Sequence, residues 1–441
     1  MTQFDFFAPC PRGLEGPLAT ELRELASGVG AAAGIVPGAE TPGGVHFRGG
    51  WAAAFAVNLH SRIASRVLLK IATGPYKDER DVFALALAQS WEEWFSARQT
   101  LRVDVTAVKS PLKSLEFTTL RIKDAICDRL REKTGSRPDI DTAHPEVRVF
   151  AFVTATHCTL YLDTSGEPLF KRGWRLDKGA APLRENLAAG ILRLSGWAPG
   201  QTLYDPMCGS GTFIAEAAQI ALGVPPGSDR RFAFEKLRGY DVSTWQQMKV
   251  DAMDLRRKAK SSRAHLGIYG SDISGDMLQK ARANFERAGL PMPTLKQQDA
   301  RSMTPPVNVP GVLIANPPYG ERIEVRGRNA RGEIVERGQG GGRDDAGGRG
   351  FSRAQPSAEE SVDPEFFHAL GDALKQRFVD WRAFVLTSDR GLPGLMRLRE
   401  SQKTPLYNGA LECRLFRFDM QAGSLKPAKP RPAVDDSGAE A

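Results

Sequence analysis

Several things are scarce in this 441-residue chain, and each scarcity closes a line of explanation. There are five cysteines, Cys10, Cys127, Cys158, Cys208 and Cys413, odd in number, scattered, and with no Cys-x-x-Cys pair. That excludes a disulfide framework and a thiolate zinc knuckle. The six histidines show no metal-ligand spacing, so no metal is expected. No uncharged apolar run approaches the roughly 20 residues of a membrane span. The opening Met1–Phe7 has neither a basic n-region nor a long apolar stretch, so no signal peptide is expected and the cytoplasm is the expected compartment. Internal repeats are absent. Acidic excess is also absent: 60 Lys and Arg against 52 Asp and Glu leave a formal charge of +8. A basic balance of this size favours a polyanionic partner only modestly.

What is present fits globular cores: 41% of residues are hydrophobic and 25% charged, over a length that suits two or three domains. Residues 1–65 predict a small α+β unit. Its helix over 16–26 has Leu18, Leu22 and Leu25 on one face, a strand follows at 44–48, and a second helix runs over 51–61. Residues 66–166 predict a second unit, with strands at 66–72, 101–108, 147–155 and 159–163. Its helix over 117–134 turns Leu120, Ile122, Ala125, Ile126 and Leu130 inward. Arg121, Lys123, Arg129, Arg131 and Lys133 lie on the outer face, and Lys109 and Lys113 precede the helix. Basic helix faces are commonly just solvated. This unit nevertheless resembles a THUMP domain, an RNA-binding module, through Phe117–Ile126 and Thr159–Gly166. The resemblance makes Lys109, Lys113, Arg121, Lys123 and Arg129 the expected RNA contacts.

From 167 to 425 strands alternate with helices, the pattern of a doubly wound α/β sheet. Parallel strands are expected at 202–207, 268–273, 294–299, 311–317 and 383–388, with helices at 213–222, 276–288 and 365–378. An antiparallel hairpin is expected across Asn408-Gly409. Residues 326–362 are rich in Gly and Arg and predict a disordered insertion. Residues 426–441 predict a disordered tail.

Four segments carry chemistry. The first, Asp205-Pro206-Met207-Cys208-Gly209-Ser210-Gly211-Thr212, follows a strand and opens a helix. Gly209 and Gly211 suit a tight turn close to a ligand. No Gly-Lys-Ser/Thr is present, so it is not a phosphate loop, and its spacing is not Gly-x-Gly-x-x-Gly. A tight turn without ligand is the plain alternative. At the end of the second strand Asp272, followed by Ile273, suits two vicinal ribose hydroxyls. Asp241 is its rival, but the segment after Asp241 reads as an inserted helix. After the third strand, Asp299-Ala300 either accepts from an adenine amine or caps a turn. Lastly, Asn316-Pro317-Pro318-Tyr319 follows the apolar strand Gly311–Ala315. An exocyclic amine on a base is a weak nucleophile. The Asn316 side-chain oxygen and the Pro317 carbonyl are two acceptors for its hydrogens, the prolines preorganise the backbone, and Tyr319 can stack on the base. Cys208 lies on the candidate cofactor loop itself, too close to the bound ligand to attack a pyrimidine, and is read as a small loop residue.

In this order, with Lys171–Arg175 and Ala181–Ala188 leading into the third part and Leu406–Leu415 as its hairpin, the chain resembles the THUMP-containing class I RNA methyltransferases of the RlmL type. The resemblance implies a Rossmann-like methyltransferase domain behind an N-terminal ferredoxin-like and THUMP region. It implies S-adenosylmethionine (SAM) as cofactor, held by Asn186, Asp205, Cys208, Gly209, Ser210, Gly211, Thr212, Asp272, Ile273, Asp299 and Ala300. It further implies transfer to the N2 amine of a guanine in 23S rRNA. Transfer to tRNA guanine, to DNA adenine N6, or a non-catalytic RNA-binding role are the alternatives. The longest relatives carry a second methyltransferase beyond this point, so a single modification is expected here.

Overall fold

The computed structural model describes residues 2–176, 183–317 and 364–421. Pro318, Tyr319, the Gly/Arg-rich insertion at 326–362 and the tail at 426–441 lie outside the described residues.

The N-terminal half is one mixed sheet with helices on one face. In chain order it contains β1 (Phe4–Pro9), α1 (Glu15–Ser27), β2 (Val36–Thr41), β3 (Gly44–Gly49), α2 (Trp51–His60), β4 (Leu68–Pro75), α3 (Glu79–Leu87), α4 (Trp91–Trp94), β5 (Leu101–Ala107), α5 (Leu115–Thr134), β6 (Val147–Val153) and β7 (His157–Asp163). The strand order among the described residues is β2-β3-β1-β4-β7-β6-β5. The two N-terminal units therefore share a sheet, joined at β1 and β4 through the antiparallel pairs Phe6↔Leu69 and Phe7↔Leu68. β1 was not foreseen. Its residues Phe6 and Ala8 alternate into the core while Asp5 faces out, the signature of a half-buried strand in very few residues. α3 was not foreseen either; Asp78 caps it, accepting from Arg80 N at 2.8 Å.

α5 begins two residues earlier than expected. Ser114 caps it through Phe117 N, and Gly135 closes it in the left-handed region. Ile122, Ala125, Ile126 and Leu130 are buried as expected. Leu120 is not: it is 46% exposed, and Thr118 takes an inward position instead. Leu115 and Phe117 in the first turn of α5 are exposed as well, so apolar identity there does not imply burial.

The second half continues with α6 (Glu185–Leu194), β8 (Leu203–Asp205), α7 (Thr212–Ala221), α8 (Val242–Lys260), β9 (Ile268–Asp272), α9 (Gly275–Ala288), β10 (Thr294–Gln297), β11 (Val312–Ala315), α10 (Pro364–Arg377), β12 (Arg382–Thr387), α11 (Leu392–Leu395), β13 (Gln402–Asn408) and β14 (Leu411–Asp419). Its strand order is β10-β9-β8-β11-β12-β14-β13. The first five strands are parallel, and β14 and β13 form the antiparallel edge hairpin turned at Gly409. Strand order reverses between β8 and β11. In such sheets the ligand crevice lies outside the carboxyl ends of the strands at that reversal.

The halves dock closely. A methyl group on Gly190 of α6 would stand 2.3 Å from the Leu14 side chain, and one on Gly13 2.3 Å from the Pro405 carbonyl. Glycine is needed at both for this approach.

Candidate functional site

Each chemistry-bearing segment ends a parallel strand at the same edge. Asp205 is the last residue of β8, Asp272 the last of β9, and Asn316 follows β11 directly. Parallel sheets buried on both faces project only these termini towards a crevice, which is how short hydrophobic strands deliver polar side chains to one line.

The glycine loop is held from below. Cys208 N donates to Ser271 O at 2.8 Å, Gly209 N to Asp272 Oδ2 at 2.8 Å, and Asn284 Nδ2 of α9 to Ser210 O at 3.0 Å. Gly209 and Gly211 have φ of 53° and 87°, the left-handed region, so both glycines serve the turn. Gly211 also opens α7, whose first turn presents unbonded N–H groups to the loop side. Beneath it, the Tyr204 hydroxyl and Ser271 Oγ are 2.7 Å apart, tying β8 to β9.

Asp205 is 2% exposed and accepts one bond, from Met207 N at 3.1 Å. Among the described residues no cation pairs with it. Burial, and secondarily the Asp272 carboxylate, push its carboxyl well above the usual range. A buried carboxylate without a cation is costly, and an incoming ammonium would relieve that cost. The amino-acid end of SAM carries such a group, so the residues present fit it.

Asp272 accepts from Gly209 N through one oxygen and from Ser274 N, at 2.9 Å, through the other. A carboxylate has about four acceptor positions, so two stay available for a pair of hydroxyls. Ile273 beside it is 61% exposed, an apolar surface next to the acceptor. Asp241, the rival, lies elsewhere: it caps α8, accepting from Thr244 N at 3.0 Å and from the Ser243 and Thr244 hydroxyls. Those hydrogen bonds hold its carboxyl down to about 2.

Asp299 does cap a short turn, over Ala300–Ser302, and its carboxylate is gripped by Arg301 Nε at 2.9 Å and Arg301 N at 2.8 Å. Contact with a base amine would have to share that carboxylate with Arg301. Ala300 is buried against β8 and β9 side chains.

Asn316 is half-buried, Pro317 is buried, and Asn316 Oδ1 is buried with no hydrogen-bond partner among the described residues. An unpaired buried acceptor costs free energy, of order 1–3 kcal/mol, unless a donor arrives. Cys208 is buried, and its thiol is pushed up by burial and by Asp205 and Asp272, so it stays protonated and inert.

Asn186, in the first turn of α6, is fully buried. Its Nδ2 donates to Ile63 O at 3.2 Å and Ser65 Oγ at 3.1 Å, while its Oδ1 has no partner among the described residues. Its bonds run to the N-terminal half, a structural tie that the sequence did not signal.

The expected RNA contacts divide into two groups. Lys109, at φ 54°, and Lys113 are exposed. The other three are engaged: Arg129 forks onto Glu92 at 2.6 and 3.1 Å, Lys123 pairs with Asp124 at 2.9 Å, and Arg121 lies 4.1 Å over the Phe83 ring. Among the described residues no cluster of three metal-ligating side chains occurs, and no helix is long and apolar enough to cross a membrane.

Comparison with known proteins agrees with this layout. Residues 5–68 match the RlmL ferredoxin-like domain, 76–163 the THUMP domain, and 172–331 the RMKL-like methyltransferase domain. The ribosomal RNA large subunit methyltransferase K/L of Aeromonas hydrophila is 34% identical over 96% of this chain and 56% of its own length. That of Psychromonas ingrahamii is 34% identical over 98% of this chain and 51% of its own length. The chain thus spans about half the length of the curated relatives it matches. Among solved structures, SMU.472 complexed with S-adenosylhomocysteine (SAH) superposes with a TM-score of 0.76 at 27% identity, over 96% of this chain and 99% of that one. A Listeria monocytogenes protein named a predicted N6-adenine-specific DNA methylase superposes with a TM-score of 0.74 at 27% identity, covering 95% of this chain and 97% of that one. The fold is that of a class I methyltransferase, and SAM is the cofactor on which relatives and site agree.

Proposed function

We propose that this chain, whose segments match the RlmL ferredoxin-like, THUMP and RMKL-like methyltransferase domains, methylates the exocyclic N2 amine of a guanine in 23S rRNA. The observation that carries the proposal is the buried Oδ1 of Asn316 at the crevice end of β11, which has no hydrogen-bond partner among the described residues. It is an acceptor waiting for a donor, placed where an amine would enter.

When bound, SAM supplies an electrophilic methyl on a positively charged sulfur. The residues of the chain do the rest by placement. Asp205 receives the ammonium, Asp272 the ribose hydroxyls, and the glycine loop gives the backbone room for the amino-acid end. Asn316 Oδ1 and the Pro317 carbonyl take the two amine hydrogens and turn the nitrogen towards the methyl. Transfer would form the N–CH3 bond as the S–CH3 bond of the donor breaks, leaving neutral SAH, and the amine would release one proton to solvent. Alignment of this kind is worth about 7–11 kcal/mol at best, and no covalent enzyme intermediate is required. Tyr319 is proposed to stack on the base. Ser210, Thr212, Ile273, Asp299 and Ala300 are proposed to line the cofactor cleft. Lys109 and Lys113 are proposed to neutralise phosphates, and Arg121 and Lys123 to add positive charge on α5; Arg129 is held by Glu92. The setting we propose is the cytoplasm, with ribosomal RNA as partner.

An adenine N6 amine offers the same two hydrogens, so the acceptor pair alone does not choose the base. The THUMP match favours RNA over DNA. Incubating the chain with labelled SAM and 23S rRNA, tRNA or DNA, then digesting to nucleosides for mass spectrometry, tests this. N2-methylguanosine from 23S rRNA is expected. Label in N6-methyladenine, or only in tRNA, would overturn the substrate assignment.

A further inference from the structure

One buried carboxylate outside the crevice receives arginines from two directions. Glu216 stands on α7, four residues after Thr212 and so on the same helix face, about 6 Å beyond the glycine loop. Its side chain is fully buried. Arg172, from the segment between the halves, donates to Glu216 through Nε at 3.1 Å and Nη2 at 3.5 Å. Arg62, from the N-terminal half just after α2, reaches the same carboxylate with Nη1 at 3.5 Å. Its remaining donors bond Gln219 Oε1 at 3.4 Å, Gln219 O at 3.2 Å and Val224 O. Arg172 Nη2 also bonds the Arg62 carbonyl at 2.7 Å.

The Arg62 end is itself fixed. Buried Glu21 of α1 accepts from Arg62 N at 2.8 Å, Ile63 N at 3.3 Å and the Ser61 hydroxyl at 2.6 Å. A continuous polar strut therefore runs from α1, through residues 61–63, to the helix that begins with the glycine loop. The other attachments of that loop, to Asp272 and Asn284, come from within the parallel sheet and its α9. Buried ion clusters are poor sources of stability compared with apolar packing, so this one invites a role other than holding the halves together.

We propose that Glu216 is a positioning residue for methyl-donor binding: the Arg62–Glu216–Arg172 cluster sets the seat of α7, and with it the glycine loop, against the docked N-terminal half. The proposal rests on the assignment of the glycine loop as the methyl-donor site. It makes cofactor affinity a property of both halves, although no N-terminal side chain is assigned to the cofactor.

The test uses the full chain with SAH as probe, titrated calorimetrically well below each variant's melting temperature. Glu216→Gln keeps the volume and removes the charge; it is expected to weaken SAH binding on the order of tenfold. Arg62→Met leaves the Arg172–Glu216 pair in place, so it guards against a folding failure, and it is expected to weaken binding in the same direction. Arg62→Lys should recover part of the loss. Arg193→Ala removes a pair with Glu24 that also bridges the halves, at the surface, and should leave SAH affinity unchanged. If Glu216→Gln and Arg62→Met melt lower yet bind SAH like the unaltered chain, the cluster only holds the halves together and the proposal fails. If the unaltered chain binds no SAH, the methyl-donor site itself fails, and this proposal with it.

Discussion

The two sheets of this molecule each have seven described strands, yet they use their edges in opposite ways. The N-terminal sheet is largely antiparallel, carries its helices on one face and, among the described residues, brings no cluster of unsatisfied polar groups to a strand end. Its buried charges are spent on partners: Asp163 on Arg66, Glu21 on backbone N–H groups. The parallel sheet aligns Asp205, Asp272 and Asn316 along one edge, where, among the described residues, Asp205 has no cation and Asn316 Oδ1 no donor. Unmet polar demand at the carboxyl ends of the parallel strands is what singles out Asp205 and Asn316 as candidates for the chemistry.

The largest effect that would sharpen this contrast is on cofactor binding. Asp272→Ala removes acceptors for two hydroxyls, each bond worth about 1.5–3 kcal/mol with a charged partner. Calorimetry should show SAH affinity falling by about a hundredfold or more, while Asp241→Ala, which only uncaps α8, leaves it intact. The reverse outcome would move the ribose site.

At the seam between the sheets, Glu216→Leu leaves two buried arginines facing each other and should cost about 3–5 kcal/mol in denaturant unfolding. Arg193→Ala, which breaks an exposed pair, should cost under about 1 kcal/mol. Equal costs would deny that the arginines around Glu216 are desolvated charges that depend on its carboxylate.

On the N-terminal sheet, Lys109→Glu with Lys113→Glu should raise the KM for RNA with little change in kcat, and lower the salt slope of binding by about one unit per lysine. Arg129→Ala should act differently, through stability, because its guanidinium is already spent on Glu92. A shift confined to kcat would contradict an RNA-binding role for the lysines.

The smallest effect concerns Asp205. With its carboxyl raised in the free protein, binding an ammonium favours the ionised form and releases a proton. SAH affinity should therefore rise with pH from the ordinary carboxylate range up through the raised pKa of Asp205. The sign for folding is opposite: ionising a buried, unpaired carboxyl lowers stability as pH rises. Asp205→Asn should accordingly stabilise the free chain by about 0.5–2 kcal/mol while losing cofactor affinity. A destabilised Asp205→Asn protein would show that the buried charge is paired after all.

Much of the parallel sheet was legible because buried strands read as short apolar runs and their polar termini stand out: Val312–Ala315 before Asn316, Ile268–Ser271 before Asp272. Glycine spacing at 209 and 211 revealed the loop since only the turn requires it. The N-terminal sheet was harder. β1 is a six-residue strand whose Phe-rich sequence shows no turn signals, and nothing local announces that β1 and β4 join two units across two residue pairs. Leu120 misled because helical period gives a face but not the extent of the surface it lies on. Partners such as Glu92 for Arg129, or Arg62 and Arg172 for Glu216, are distant in sequence. Side-chain pairing of that kind follows from docking, which no window of residues records.

The measurement that bears most directly on the division between binding and chemistry is a paired titration and single-turnover assay of Asn316→Ala in the full chain. Loss of the amine acceptor alone should reduce methyl transfer to 23S rRNA by about a hundredfold or more, as removal of a preorganised transition-state contact does, with SAH and RNA affinities within about twofold of the unaltered chain. Near-normal turnover, or a matching loss of SAH affinity, would contradict the assignment of Asn316 to the target amine.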